Sequence, residues 1–137
     1  MPRELLITLA LPPAACSPNS RADWHERHRA TQAFRTDAGW TAREALAGGE
    51  PFSACALAIR YVLCGKTPKA QYAPKDCDNG LAAVKAAQDG LRDAGVFSND
   101  SHRQIRRVCC EIDRHAPHRK GVACPGSRVE ITVIEAE

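Results

Sequence analysis

At the start of the chain, apolar residues fall at every second position. Leu5, Ile7, Leu9 and Leu11 share one face, so residues 4 to 11 read as a strand, which Pro12 and Pro13 end. The segment CSPNSR then turns the chain and offers Asn19 or Ser20 as a helix cap. From Arg21 to about Ala47 the period becomes helical. Trp24, Thr31, Phe34, Ala38, Ala42 and Ala45 follow a three-to-four spacing with charges between them. Gly39 is the expected place for a break or kink, and Gly48 and Gly49 stop the helix. Residues 53 to 64 alternate again, with Cys55, Leu57, Ile59, Tyr61 and Leu63 on one face. Ala56, Ala58 and Val62 fall on the other, the pattern of a strand covered on both sides.

A basic, polar loop with Lys66, Lys69 and Lys75 leads into a second helix. Asp78 or Asn79 is its expected cap, Leu81, Val84, Gln88 and Leu91 form its apolar stripe, and Gly95 closes it. Residues 104 to 112 and 128 to 134 read as two more strands, with Val129, Ile131 and Val133 alternating in the last. The order β-α-β-α-β-β predicts one α+β domain over residues 1 to 137: a mixed sheet of about four strands packed with two main helices. There is no internal repeat, low-complexity segment or interdomain linker.

Composition adds little: 44% hydrophobic and 26% charged is ordinary for a globular chain, and a net charge of +3 names no partner. The distribution of charge says more. Between His102 and Lys120 lie Arg103, Arg106, Arg107, Arg114 and Arg119, against only Glu111 and Asp113. His115 and His118 share the stretch, and such a basic surface suits a polyanion. The cysteine count of 7 is odd, and no secretory leader is expected. The run from Leu5 to Leu11 is short for a signal core, Glu4 interrupts the basic start, and Pro13 stands where a lipoprotein leader needs an aliphatic residue. A reduced, cytoplasmic protein without a disulfide framework is therefore expected. Nothing approaches the roughly 18 apolar residues of a membrane span, so no membrane partner is expected.

The chemistry gathers in PKDCDN. In an extended segment, side chains two apart point the same way, so Asp76 and Asp78 are expected to project together. Paired carboxylates repel unless a cation lies between them, and hard cations such as Mg²⁺, or Mn²⁺ in its place, take oxygen ligands. Lys85 lies seven residues beyond Asp78, on nearly the same helix face, where it can meet a phosphate. Plainer roles exist for each. Asp78 can be a cap, Asp89 and Asp93 surface charges, and Lys85 with Asp89 a helical ion pair worth a few tenths of a kcal/mol. Cys110, His115, His118 and Cys124 are zinc-type ligands, but their spacing matches no zinc pattern and there is no C-x-x-C. No local signature marks a Cys-His nucleophile.

DCDN, then a helix carrying K-x-x-x-D-G-L-x-D-A-G-V-F, then ND, resembles the RusA-type Holliday junction resolvases, small endodeoxyribonucleases often carried by phages and prophages. LALPPAACSPNSRADWHERHRATQAFR resembles the opening of the actinobacterial and phage branch of that family, and RVEITVIEAE its C-terminal end. The resemblance spans nearly the whole chain with the elements in order. It implies a Mg²⁺-dependent homodimer that resolves four-way DNA junctions by paired symmetric nicks, in recombination and repair. By position it implies that Asp76, Asp78 and Asp100 are metal-binding catalytic acids, Lys85 the catalytic helix lysine and Asp89 a supporting acid. Arg21, Lys66, Lys69, Lys75, Arg103, Arg106, Arg107, Arg114, Arg119 and Lys120 are the candidate DNA phosphate contacts.

Two positions depart from the family pattern. Asn99-Asp100 stands where two adjacent acids are usual, and the stretch from Asn79 to Lys85 is longer than in the shortest members. The first departure keeps open a second reading, a non-catalytic or weakly catalytic protein that binds branched DNA. A helix over residues 79 to 94 is about 24 Å long and places Asp100 at its far end. Either loop 95 to 100 folds back, or Asp100 of the partner subunit completes the site, with that helix near the two-fold axis.

Overall fold

The computed structural model describes residues 2–99, 101–115 and 126–136. The elements are β1 (Glu4–Leu9), a short 3-10 turn (Ala14–Cys16), α1 (Trp24–Leu46), β2 (Cys55–Cys64), α2 (Cys77–Asp93), β3 (Ile105–His115) and β4 (Arg128–Glu135). This is the α+β order that the hydrophobic periods predict. The strands form one mixed sheet in the order β1-β4-β2-β3. β3 runs parallel to β2, whereas β4 runs antiparallel to both β2 and β1. β1, β2 and β3 therefore point one way, and β4 threads back between β1 and β2. Each parallel step needs a crossover, which α1 and α2 supply.

Both helices cover the same face. The core gathers Ile7, Leu9, Leu57, Ile59, Tyr61, Leu63, Val129, Ile131 and Val133 from that face with Phe34, Ala38, Val84, Ala87 and Leu91 from the helices. The expectation that β2 is covered on both sides holds only near its end, where Val62 is fully buried. Elsewhere on that face Ala56, Ala58, Thr132 and Ile134 are only partly buried, Leu6 is largely exposed, and neither helix packs there. Charged side chains line part of it: Arg60 pairs with Asp113 and, at 3.6 Å, with Glu130, which also pairs with Arg128 at 2.9 Å. Ala56 and Ala58 misled because small apolar residues suit a partly exposed strand as well as a second layer.

α1 begins three residues later than expected. Asp23 is its cap, accepting from the Glu26 amide at 2.8 Å, in place of Asn19 or Ser20. The helix ends at Ala47, which takes the left-handed conformation (φ 49°) just before Gly48. α1 runs unbroken through Gly39, so the expected break is absent. The residue serves close packing instead. A Cβ on Gly90 of α2 would fall 2.3 Å from the Arg35 carbonyl and 2.9 Å from the Gly39 nitrogen. The two backbones thus touch where neither helix has a side chain. Beside this contact Arg35 donates two hydrogen bonds to Asp93, at 2.6 and 2.8 Å. Cys64 is disulfide-bonded, unlike the all-thiol chain expected, while Cys16, Cys55, Cys77, Cys109 and Cys110 are free thiols. No helix among the described residues is long and apolar enough to cross a membrane.

Gly90→Ala must force the helices apart and is expected to cost about 1–3 kcal/mol in urea denaturation. The hydrogen bond from Arg35 holds the Asp93 carboxyl below its ordinary range. Its contribution is therefore present at neutral pH and is lost as the pH falls through the folded-state value. Side-chain exposures of 30% and 44% keep it small. Asp93→Asn is expected to cost no more than about 1 kcal/mol at pH 7, and this difference should vanish in strong acid.

Candidate active site

β1 and β2 finish at the same edge of the sheet, and each passes the chain through a loop to a helix N-terminus. The two loops are laced together. The Ala14 amide donates to the Ala70 carbonyl at 2.9 Å, the Tyr72 amide donates to the Pro12 carbonyl at 2.8 Å, and Pro13 bridges to Gln71 between them. The 3-10 turn touches both helices. The N-terminal turns of α1 and α2 thus border one surface, at the carboxyl edge of the parallel strands where ligands of open sheets commonly gather.

α2 opens on this edge. Asp76 is extended (φ −144°, ψ 164°) and caps the helix. Its Oδ1 accepts from the Asn79 amide at 2.8 Å and its Oδ2 from the Asn79 side-chain nitrogen at 3.1 Å. The cap is therefore Asp76, not Asp78 or Asn79, and the helix starts at Cys77. This changes the geometry of the pair. Asp76 lies outside the helix and Asp78 inside its first turn, so the two do not project from one extended segment. The alternation rule fails once a capping side chain starts the helix between them. Both acids are exposed, and Asp78 has no hydrogen bond or ion pair among the described residues.

The first turn is pinned from below. The buried Tyr61 hydroxyl donates to the Gly80 carbonyl at 2.6 Å. Burial pushes the Tyr61 phenol above its ordinary value, so it remains a donor at neutral pH. A Cβ on Gly80 would lie 2.9 Å from the Tyr61 ring, so glycine lets α2 sit this close to β2. The Cys77 thiol donates to the Cys110 carbonyl at 3.1 Å, tying the same turn to β3, and burial raises the Cys110 thiol to about 12.

Asp78, Ala82, Lys85 and Asp89 make the outward stripe of α2, since steps of seven and eleven residues return to within about 20° of the starting direction. Lys85 is half exposed and pairs with Asp89 at 3.3 Å. It stands about 10 Å along the axis from Asp78, too far to share one phosphate oxygen with it.

Asp100 lies outside the described residues. Its neighbours belong to the opposite edge, where β2 begins. The Asn99 amide donates to Gln104 Oε1 at 2.8 Å, and the Gln104 carbonyl accepts from the Cys55 amide at 2.7 Å. The Ser101 amide donates to Asn99 Oδ1 at 2.9 Å. The described part of loop 95 to 100 does not fold back towards Asp76 and Asp78. Among the described residues no three His, Cys, Asp or Glu side chains gather as metal ligands, so the edge offers two carboxylates. That number still suits Mg²⁺, which binds through one or two carboxylates and completes its shell with waters and substrate phosphates.

The basic candidates divide between the two edges. Arg21, Lys66, Lys69 and Lys75 are exposed on the laced loops, and Arg114, opposite Leu63, is exposed near the same edge. Arg107 pairs with Ala56, and Arg106 falls at the register shift beside Cys55, so both lie with Arg103 at the other edge. Arg119, Lys120, His118 and Cys124 lie outside the described residues. Periodicity placed Tyr61 in the core, and nothing in it marked the hydroxyl that steadies the site. Trp24, expected on the apolar stripe, is 70% exposed in the first turn of α1, which extends past the short β1. No protein-family model matches the chain, and no curated protein matches it.

Asp76→Ala removes the cap and should cost about 1 kcal/mol in urea denaturation, while Asp76→Ser should recover most of it. A stability unchanged by Asp76→Ala would contradict the capping geometry.

Proposed function

We propose that this chain is a RusA-type endodeoxyribonuclease, a cytoplasmic, Mg²⁺-dependent homodimer that resolves four-way DNA junctions by paired phosphodiester hydrolysis. The observation that carries the reading is the exposed Asp76 and Asp78 at the N-terminus of α2, on an edge where Arg21, Lys66, Lys69 and Lys75 are also exposed. Acids able to hold a metal thus stand among cations able to hold the DNA backbone.

Asp76 and Asp78 would hold the ion, with Mn²⁺ able to replace Mg²⁺, and a bound ion would supply Lewis acidity for the scissile phosphate and an attacking water. Asn79 fixes the Asp76 carboxylate through two hydrogen bonds, and Tyr61 beneath Gly80 keeps the turn from tilting. Asp78 is left for the ion. Lys85, about 10 Å further along α2, meets the phosphate of a neighbouring nucleotide, with Asp89 holding its ammonium in place. The loop lysines and Arg21 neutralise phosphates without reading sequence. The segment flanking position 100 is tied to the far end of α2. A two-fold partner with its α2 antiparallel brings that segment to this edge, so Asp100 of the partner subunit is the third acid in this reading.

A second reading, a branched-DNA-binding protein that does not cut, rests on the two carboxylates found at the edge and on Asn99 in place of an acid. A labelled four-way junction and a linear duplex of the same sequence, each with Mg²⁺ or EDTA, separate the two. The nuclease reading expects paired nicks in the junction alone, Mg²⁺ dependence, and a loss of at least about a hundred-fold in Asp78→Asn with junction binding retained. Binding without cutting in every condition would support the second reading instead.

A further inference from the structure

Trp24 opens α1 on the edge that carries Asp76 and Asp78, with its indole 70% exposed. The ring does not swing freely. His28, one turn on, lies parallel to it, with ring centroids 5.5 Å apart and planes 8° apart. His25 meets it edge-on at 4.8 Å and 79°. Beside the indole is an open cleft of about 440 Å³ lined by Ala22, Trp24, Arg27, His28 and Thr31. Arg21 is exposed just before the helix. Of the acids here, Asp23 is committed to capping α1 through the Glu26 amide. A large flat ring with restricted orientation, set among cations, has the features that single nucleic-acid strands use: stacking for the base and charge for the backbone.

We propose that Trp24, steadied by His25 and His28, is a stacking platform for one unpaired nucleobase of a DNA strand whose phosphates pass Arg21 and Arg27. The proposal rests on the nucleic-acid reading above and adds a contact that phosphate-binding lysines cannot make. At a branch point bases lose stacking partners, so a protein ring that replaces one favours branched DNA over a continuous duplex. The other exposed indole, Trp40, faces the Arg43 guanidinium at 5.1 Å. It lies about 24 Å further along α1 and serves as the comparison.

The chain has 2 tryptophans, so a Trp40→Phe background leaves Trp24 as the sole indole. In low salt this protein is titrated with an oligothymidylate and with an abasic strand of equal length, which keeps the phosphates and sugars and lacks the bases. Saturable quenching by the oligothymidylate and little by the abasic strand is expected. Read by the anisotropy of a labelled strand, Trp24→Ala should raise Kd for the oligothymidylate roughly 5- to 100-fold and leave the abasic strand unaffected, with Trp24→Phe between. Equal quenching by both strands, no binding, or a Trp24→Ala affinity equal to the parent would overturn the platform. So would a change of sedimentation in Trp24→Ala without a change in strand affinity, which would assign the ring to a contact between copies. Junction cutting that depends on Asp78 yet ignores Trp24→Ala would remove the platform and leave the nuclease reading standing.

Discussion

The fold turns on a contact in which two helices meet without side chains. The outer strands of a four-stranded sheet are only about 14 Å apart, and helices with ordinary side chains pack 8–10 Å apart. Two long helices share such a face most readily if one crosses the other closely. Gly39 and Gly90 provide that crossing, and the Arg35–Asp93 pair fixes it from the side. With both helices on one face, both N-terminal turns end at one edge, and the loops feeding them become hydrogen-bonded neighbours. The surface that carries Asp76, Asp78, Trp24 and the loop lysines exists because the helices cross where they do.

The two acids also have a reason to be there that belongs to the fold. Unpaired amides at a helix N-terminus carry partial positive charge and stabilise anions. Asp76 satisfies one of those amides directly, and Asp78 sits in the first turn where its charge is favourable. The helix terminus thus offsets part of the repulsion between the two carboxylates. Asp78 is the more telling residue of the two because capping makes no demand on it.

Where the period of the apolar residues was strong, sequence was enough. The alternations of Ile7 and Leu9, of Cys55 to Leu63 and of Val129 to Val133 mark the buried face of the sheet, and Phe34, Ala38, Val84 and Leu91 mark the helix stripes. What stayed hidden depends on partners far along the chain. Gly39 reads as a helix breaker until Gly90 is seen against it. Asp76 competes with two good neighbours for the cap, and only the backbone turn decides. Trp24 has the right spacing for the core but sits where the helix has outrun the sheet. The paired acids were legible as residue types, but their placement outside and inside the helix was not. Nor was the division of the basic residues between opposite edges, since that depends on the direction of β3.

β3 forms one border of the sheet, where unpaired amides and carbonyls would template the addition of a further strand. Arg106, Arg107, Glu111 and Arg114 are exposed along it, with Val108 and Cys109 exposed between them, and a register shift interrupts its start. A neighbouring copy that docked strand to strand would have to strip water from these charges and match an irregular ladder. Those costs weigh against the stacking of copies strand to strand along this border, and so against ribbons grown from it.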